Sequence, residues 1–490
     1  MTMPPVFRTG LLTLAAIGIG TLIFVLFRRR KKTRAQHTKG KAMSPYVLTV
    51  GGQKFWMTAD KNGHLNAGEP VPGDLLTVEE FQGFCQFCGG LENLLINAFF
   101  ASPNMPYIHK QYKCDSRLHE WCEKGHEEPK APHWPSVDPH HHIFEKKVEH
   151  GADLPSWAAH NFSERCTIWI GYSYEQLAAD LKGNNVVATV FLECGHGYES
   201  SHVDKMKKDP LSPVAETKAI HAIGDKSMGP MAIVAFTDLS LGRASVQQVV
   251  EAHKKASGRF VGIRHALAHV ADRPIASRAL DGQPVEVSRS AAFREGMEVL
   301  AEHDLSYDSW LFGHNLPELT DLAKACPRTQ IICDHVGAPL GQPLAGYSKE
   351  ESMPSWRKNI TELAACENVV VKLSGLSMPC CGFGFELLAK PPTSAEMAAA
   401  YEPYFEHVLK AFGPKRCFFA SNFPVDKASG SFTTHWNAFK ILARKLLPND
   451  EPAQRALFYD NAVRIYKLDK PPFNLPPTSL EAETAKVPSY

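Results

Sequence analysis

Residues 136–144 read SVDPHHHIF, and this short run decides the fold. In an extended strand the side chains alternate, so Asp138, His140 and His142 share one face while Pro139 and His141 point the other way. A buried Asp-x-His-x-His face is costly unless its groups coordinate something or join a polar network. The plainer alternative is a solvated histidine run at a strand edge. The remainder of the chain, from residue 145 onward, favours the first option.

Downstream, short apolar or β-branched runs alternate with helical patterns. They are VVATVFLE (186–193), MAIVAF (231–236), FVGIRHAL (260–267), LSYDSWLF (305–312), QIICDHV (330–336), VVVKLSG (369–375) and CFFASNF (417–423). With the opening run this makes eight, and each but the last is followed by enough chain for a helix, which is the pattern of βα units around a parallel sheet. A (β/α)8 barrel is expected, with a doubly wound sheet as the competing architecture. Polar residues recurring at the strand ends favour the ring.

Upstream, residues 10–27 form an uncharged apolar run, GLLTLAAIGIGTLIFVLF, followed by Arg28, Arg29, Arg30, Lys31, Lys32 and Arg34. About 20 apolar residues suffice for a helix to span a bilayer, and the basic flank sets its orientation. The expectation is therefore an N-terminal transmembrane helix, a single-pass membrane protein and a cytosolic catalytic domain. The organisation read from the sequence is an anchor with basic linker over 1–43, an accessory segment of unknown function over 44–136, a barrel over 137–470 and a Pro-rich tail over 471–490.

Composition narrows the function. The 490 residues are 44% hydrophobic and 21% charged with a formal net charge of +1, so a large core is available and no global field points to nucleic acid. Twelve cysteines are too few for a disulfide scaffold in a chain of this length. Cys85 and Cys88, followed by Cys114 and Cys122 with His119 and His126 nearby, are either a structural zinc site with wide spacing or ordinary free thiols. No GxSxG nucleophile elbow is present, and PCCGFGF lacks the pattern of a phosphate-binding loop.

The Asp-x-His-x-His strand, together with ICDHVGAP, VVVKLSGL, FASNFPVDK, HNLPELTDLAKACP, MPCCGFGF and the closing NAVRIYKL, resembles the amidohydrolase-related family of TIM-barrel metal-dependent hydrolases over residues 137–468. The resemblance implies hydrolysis of a lactone or similar cyclic ester by an activated water. It also leaves open metal-dependent decarboxylation of an aromatic or muconate-type acid. It implies a divalent metal ion, zinc by expectation, on His140 and His142, with His335 in the same pocket.

Where the family commonly carries an aspartate after the last strand, this chain has Asn422, which keeps a carbonyl oxygen but has no titratable proton. Asp426 is then either a substitute base or a helix cap. A membrane-tethered pseudoenzyme or binding module is the reading from another class. Other strand ends offer a small-molecule pocket: Glu193 and His196, Arg264 and His265, Tyr307 and Asp308, and His314. Arg264 would grip an anionic substituent or pair with a loop acid. Lys372 and Ser374 share one face of the seventh run.

Overall fold

The computed structural model describes residues 121–144, 172–195, 203–225, 231–269, 283–341 and 347–476 except 389, together with five short strands between residues 12 and 68. The chain divides into two compact units, one of residues 1–114 with 343–346 and one of residues 115–342 with 347–490.

In the first unit, β1 (Leu12–Leu14) pairs antiparallel with β2 (Ile23–Val25), and β3 (Tyr46–Val50), β4 (Gln53–Ala59) and β5 (Leu65–Gly68) form an antiparallel sheet. The expectation of a transmembrane helix over 10–27 is corrected here, and the single-pass topology falls with it. Among the described residues no helix is long and apolar enough to cross a membrane, and both described parts of the run are strands. Gly18 and Gly20 weaken a helix, and the β-branched Thr13, Ile23 and Val25 fall in the strands. Cys85, Cys88, Cys114 and His119 lie outside the described residues.

The second unit carries eight parallel strands: β6 (Ser136–His141), β7 (Val186–Leu192), β8 (Met231–Phe236), β9 (Phe260–Arg264), β10 (Ser306–Ser309), β11 (Ile331–Cys333), β12 (Val369–Leu373) and β13 (Cys417–Phe419). Each pairs with its sequence neighbour, in the order β6 to β13. A parallel bridge between His141 and Phe423 joins the first strand to the last, and the sheet becomes a (β/α)8 barrel.

Alternation along the strands sorts the side chains into two cores. Phe191, Ile233, Ile263, Tyr307, Ile331, Val371 and Phe419 face the helices, among them Arg243–Ala256, Ala291–Glu302, Leu316–Ala325, Ser394–Phe412 and Phe432–Leu446. Ala188, Val190, Ala232, Val234, Ile332, Val370 and Phe418 face inward and meet Tyr466 and Phe473 from the chain's C-terminal part. Burying these faces at about 25 cal/mol per Å² of apolar surface is what drives the ring together.

The seam between β6 and β13 is stitched by polar groups. His142 N donates to Phe423 O at 2.7 Å and Asn422 N to His140 O at 2.9 Å. Asp138, fully buried, accepts from Ser421 N at 2.9 Å and from Ser421 Oγ at 2.7 Å. Burial pushes the Asp138 carboxyl up to about 6, against the opposing pull of these bonds.

Two consequences can be measured. Gly262 on β9 faces Ser306 on β10, and a Cβ there would lie 2.1 Å from Ser306 Oγ and 3.0 Å from Ser306 O. Gly262→Ala is expected to lose about 1–3 kcal/mol in urea unfolding, part of it regained when Ser306→Ala is added. For Asp138, the folded chain retains a proton between about pH 4 and 6 that the unfolded chain has released. That carboxyl's contribution is therefore full below about pH 4 and declines, by at most about 3 kcal/mol, as the pH rises to 6. The stability deficit of Asp138→Asn should shrink over this window and stay level above it; a deficit that widens from pH 4 to 6 contradicts the assignment.

Candidate functional site

The inward face of the barrel changes character toward the C-terminal ends of the strands. Above the apolar layer of Val190, Val234, Ile332 and Val370 lies a layer of charge. Lys372 on β12, with no exposure to solvent, bonds Asp308 Oδ1 at 2.6 Å and Asp334 Oδ1 at 2.9 Å, and Asp308 Oδ1 also accepts from Tyr466 at 2.7 Å. Burial raises the Asp308 carboxyl, whereas for Asp334 the attraction of Lys372, His335 and Arg264 outweighs burial and lowers it. A lone buried ion costs several kcal/mol of desolvation, and here the charges are set against one another.

The histidines sit on this layer. His140 Nδ1 is 3.1 Å from Lys372 Nζ and 3.5 Å from Asp334 Oδ1, and its Nε2 lies 3.2 Å from His142 Nε2. His142 Nδ1 meets the carbonyl of Leu192 at 2.9 Å, so Nδ1 carries the proton and Nε2 is bare. Burial, reinforced by nearby positive charge, holds both imidazoles well below their usual range, so they are neutral. Two imidazole nitrogens bound to one tetrahedral divalent ion at about 2.0–2.1 Å lie about 3.3 Å apart, so the observed separation fits a shared ion. Among the described residues, no set of three or more His, Cys, Asp or Glu side chains completes such a cage.

His335 comes to the same place by an unusual route. It follows β11 in a turn where His335, Val336 and Gly337 all have positive φ, of 55°, 51° and 62°. Such a run of left-handed residues is costly, most of all at the β-branched Val336, and persists only where surrounding contacts fix it. Trp356 Nε1 donates to Val336 O at 2.8 Å, and Ala338 N closes onto His335 O at 2.9 Å. Gly375 gives the ring room, since a Cβ there would lie 2.4 Å from His335 Cβ. The His335 ring stands 4.3 Å from that of His140, its Nδ1 meets Ser374 Oγ at 2.8 Å, and burial lowers it to about 3.

Arg264 ends β9 beside the pair. Its Nε donates to Glu193 Oε1 at 2.7 Å and its Nη1 is 3.5 Å from His140 Nε2. The guanidinium is thus anchored through Nε by an acid of the barrel, while Nη1 faces His140.

Other expected site residues are not brought to the pair. Tyr307 follows the strand's alternation: Asp308 points inward, so Tyr307 points to the helices, donating to His265 O at 2.8 Å and packing on Phe293. His265 also lies in that layer, between Phe236 and Phe293, bonded to Leu239 N and Gln283 Oε1. His314 stays on the rim, bonding His269 O at 2.6 Å. His196 lies outside the described residues.

Asp426 is fully buried beneath Asn422, whose Nδ2 donates to Asp426 Oδ1 at 2.9 Å; burial raises its carboxyl well above the usual range despite donors from Asn422, Gly375 and Ser377. It neither caps a following α-helix nor reaches the pair, so it does not fit the part of a base. Cys122 is a buried free thiol whose pKa burial pushes up to about 12. Sequence reasoning passed over Asp334 and Tyr466, although they stand inside the motifs ICDHVGAP and NAVRIYKL. An acid and a tyrosine at strand and helix ends within a barrel pattern were the available signal.

Comparison with known proteins agrees with this geometry. The family model described as Amidohydrolase matches residues 232–468. An uncharacterized protein of Sinorhizobium fredii, y4mH, is 31% identical over 334 residues, 68% of this chain and 98% of that protein. An L-fucono-1,5-lactonase of Burkholderia ambifaria is 31% identical over 179 residues, 36% of this chain, so that the match spans 54% of the enzyme's length. Among solved structures, an amidohydrolase of Burkholderia multivorans crystallised with bound zinc shares the fold with a TM-score of 0.51 at 21% identity, covering 68% of this chain and 99% of that one. An eight-stranded parallel barrel with a histidine pair at its mouth, and a relative matched over nearly its whole length, place this chain in the amidohydrolase family of hydrolases.

Proposed function

We propose that this chain hydrolyses the ester bond of a lactone, with His140 and His142 holding a divalent metal ion, zinc by preference. The observation that carries the reading is the convergence of two neutral imidazole nitrogens at 3.2 Å, beside the guanidinium of Arg264 and the ring of His335. When bound, such an ion lowers the pKa of a water and polarises a carbonyl.

The chain's own groups supply the rest. A histidine held as low as about 3 is a poor base near neutral pH but a good neutral donor, so His335 is assigned to hydrogen bonding the oxygen on which charge develops. Ser374 fixes its ring through Nδ1. Arg264, tethered by Glu193, presents positive charge next to His140 and stabilises the same oxygen. Asn422 contributes its amide at the end of the seam, and Asp426 positions that amide. Because Glu193 offsets Arg264, the substrate class favoured is an uncharged lactone. The sugar lactonase among the relatives points the same way and narrows the class to aldonolactones.

The test uses the full-length protein, a panel of five- and six-membered aldonolactones, and proton release as the readout, with metal content measured on the same preparation. Hydrolysis by the parent is expected to fall about 10²-fold or more in the His140→Ala/His142→Ala variant, with loss of bound metal and an unchanged circular dichroism spectrum. Turnover equal to the parent's in the double variant, or a metal-loaded parent inert toward every lactone, would sink the proposal. Carbon dioxide release from an aromatic acid under the same conditions would redirect it to decarboxylation.

A further inference from the structure

We infer that Lys372 and Asp334 together select the tautomer of His140, and through it set how strongly the histidine pair takes up a divalent cation. The inference rests on the reading of His140 and His142 as a cation-binding pair.

His142 has no choice of tautomer, because the Leu192 carbonyl takes its Nδ1 proton and leaves Nε2 bare. Its neighbour at 3.2 Å, His140 Nε2, must present either a proton or a lone pair to it. Which one depends on the other end of the His140 ring. There, Nδ1 faces a group that only donates, Lys372 at 3.1 Å, and a group that only accepts, Asp334 at 3.5 Å.

Two arrangements are self-consistent. In one, Lys372 donates to Nδ1, the ring proton sits on Nε2, and Nε2 donates to His142. Every nitrogen is satisfied without a metal, and the pair is closed to one. In the other, Nδ1 donates to Asp334 and both Nε2 lone pairs converge on one point. That arrangement is unfavourable when empty and is relieved by a cation. The imidazole stays neutral in both.

The groups around the ring support a two-position selector. Asp334 Oδ1 is ion-paired with Lys372 at 2.9 Å, and its buried Oδ2 has no hydrogen-bond partner among the described residues, so the carboxylate keeps acceptor capacity for His140. Lys372 keeps its contacts to Asp308 and Asp334 in either arrangement and is not freed by losing His140. Arg264 Nη1, at 3.5 Å from His140 Nε2, is the remaining cationic group near the converged nitrogens.

The experiment is a zinc titration of the full-length parent, Lys372→Met and Asp334→Asn, each in competition with a chromophoric chelator. Removing the donor should tighten zinc binding about tenfold or more, and weakening the acceptor should loosen it by a similar factor. A general loss of structure would weaken both, so the opposite signs are the signature. Shifts of the same sign, or no shift in either variant, overturn the inference. If the parent binds zinc and the variants match it, the tautomer selector falls while the metal site stands; if neither the parent nor Lys372→Met binds zinc, both fall. Lys372→Met strips the counter-charge from two buried acids, so where it fails to fold, Asp334→Asn decides alone, and unchanged affinity there overturns the selector.

Discussion

The pairing of the first strand with the last is the constraint on which the rest of this molecule depends. A parallel ring has no closure until β6 meets the chain beyond β13, and the residues that make that contact include the histidine pair and its neighbours. Asn422 N reaches His140 O, Phe423 O receives His142 N, and Ser421 clamps Asp138. Because these bonds run through the backbone and the side chains of Ser421 and Asp138, the histidine rings are left unencumbered by closure and can turn inward. Bending the strand is part of the arrangement: the β6–β7 register shifts between Ser136 and Val137 and again between Asp138 and His141.

The barrel interior is layered by polarity, and that layering makes a polar mouth tolerable. Apolar side chains fill the floor, the Lys372, Asp308, Asp334 and Tyr466 group forms a middle layer in which the charges are set against one another, and only then come the imidazoles. Buried ion clusters of this kind are seldom the most stable way to fill a core. Their value here is positional: Lys372 reaches three separate elements at once, touching Asp308 on β10, Asp334 after β11 and His140 on β6. Burial keeps the histidines neutral, which suits groups that must offer a lone pair or a single proton without charge.

Much of this was legible in the sequence, for a physical reason. Strand period and helix spacing are local properties, so the eight βα units and the inward pair His140 and His142 could be read from residue order alone. The phase of a strand is not local. Nothing in LSYDSWLF says whether Tyr307 or Asp308 faces the barrel axis; that is decided by Lys372 and Tyr466, distant in sequence. The same holds for His265, whose place among Phe236, Phe293 and Gln283 follows from the helix packed above it. The turn at His335 and Val336 was illegible because it contradicts local preference: positive φ at a valine is imposed by Trp356 and by the space over Gly375. The apolar run at 10–27 misled for the opposite reason, since hydropathy alone does not separate a spanning helix from apolar strands.

Asn422 shows how a departure from an expected residue can be an adaptation to its neighbours. The position has φ of 55°, which asparagine tolerates better than most side chains. Its Nδ2 donates to Asp426 at 2.9 Å, and Asp426 is sealed from solvent with its carboxyl raised by burial. An aspartate at 422 would set two carboxyl groups against each other at that distance in a low-dielectric site, and both could not ionise. With an acid already at 426, an amide at 422 is the partner that can donate, leaving its carbonyl oxygen as an acceptor. The pair keeps one acid and one donor at the end of the last strand.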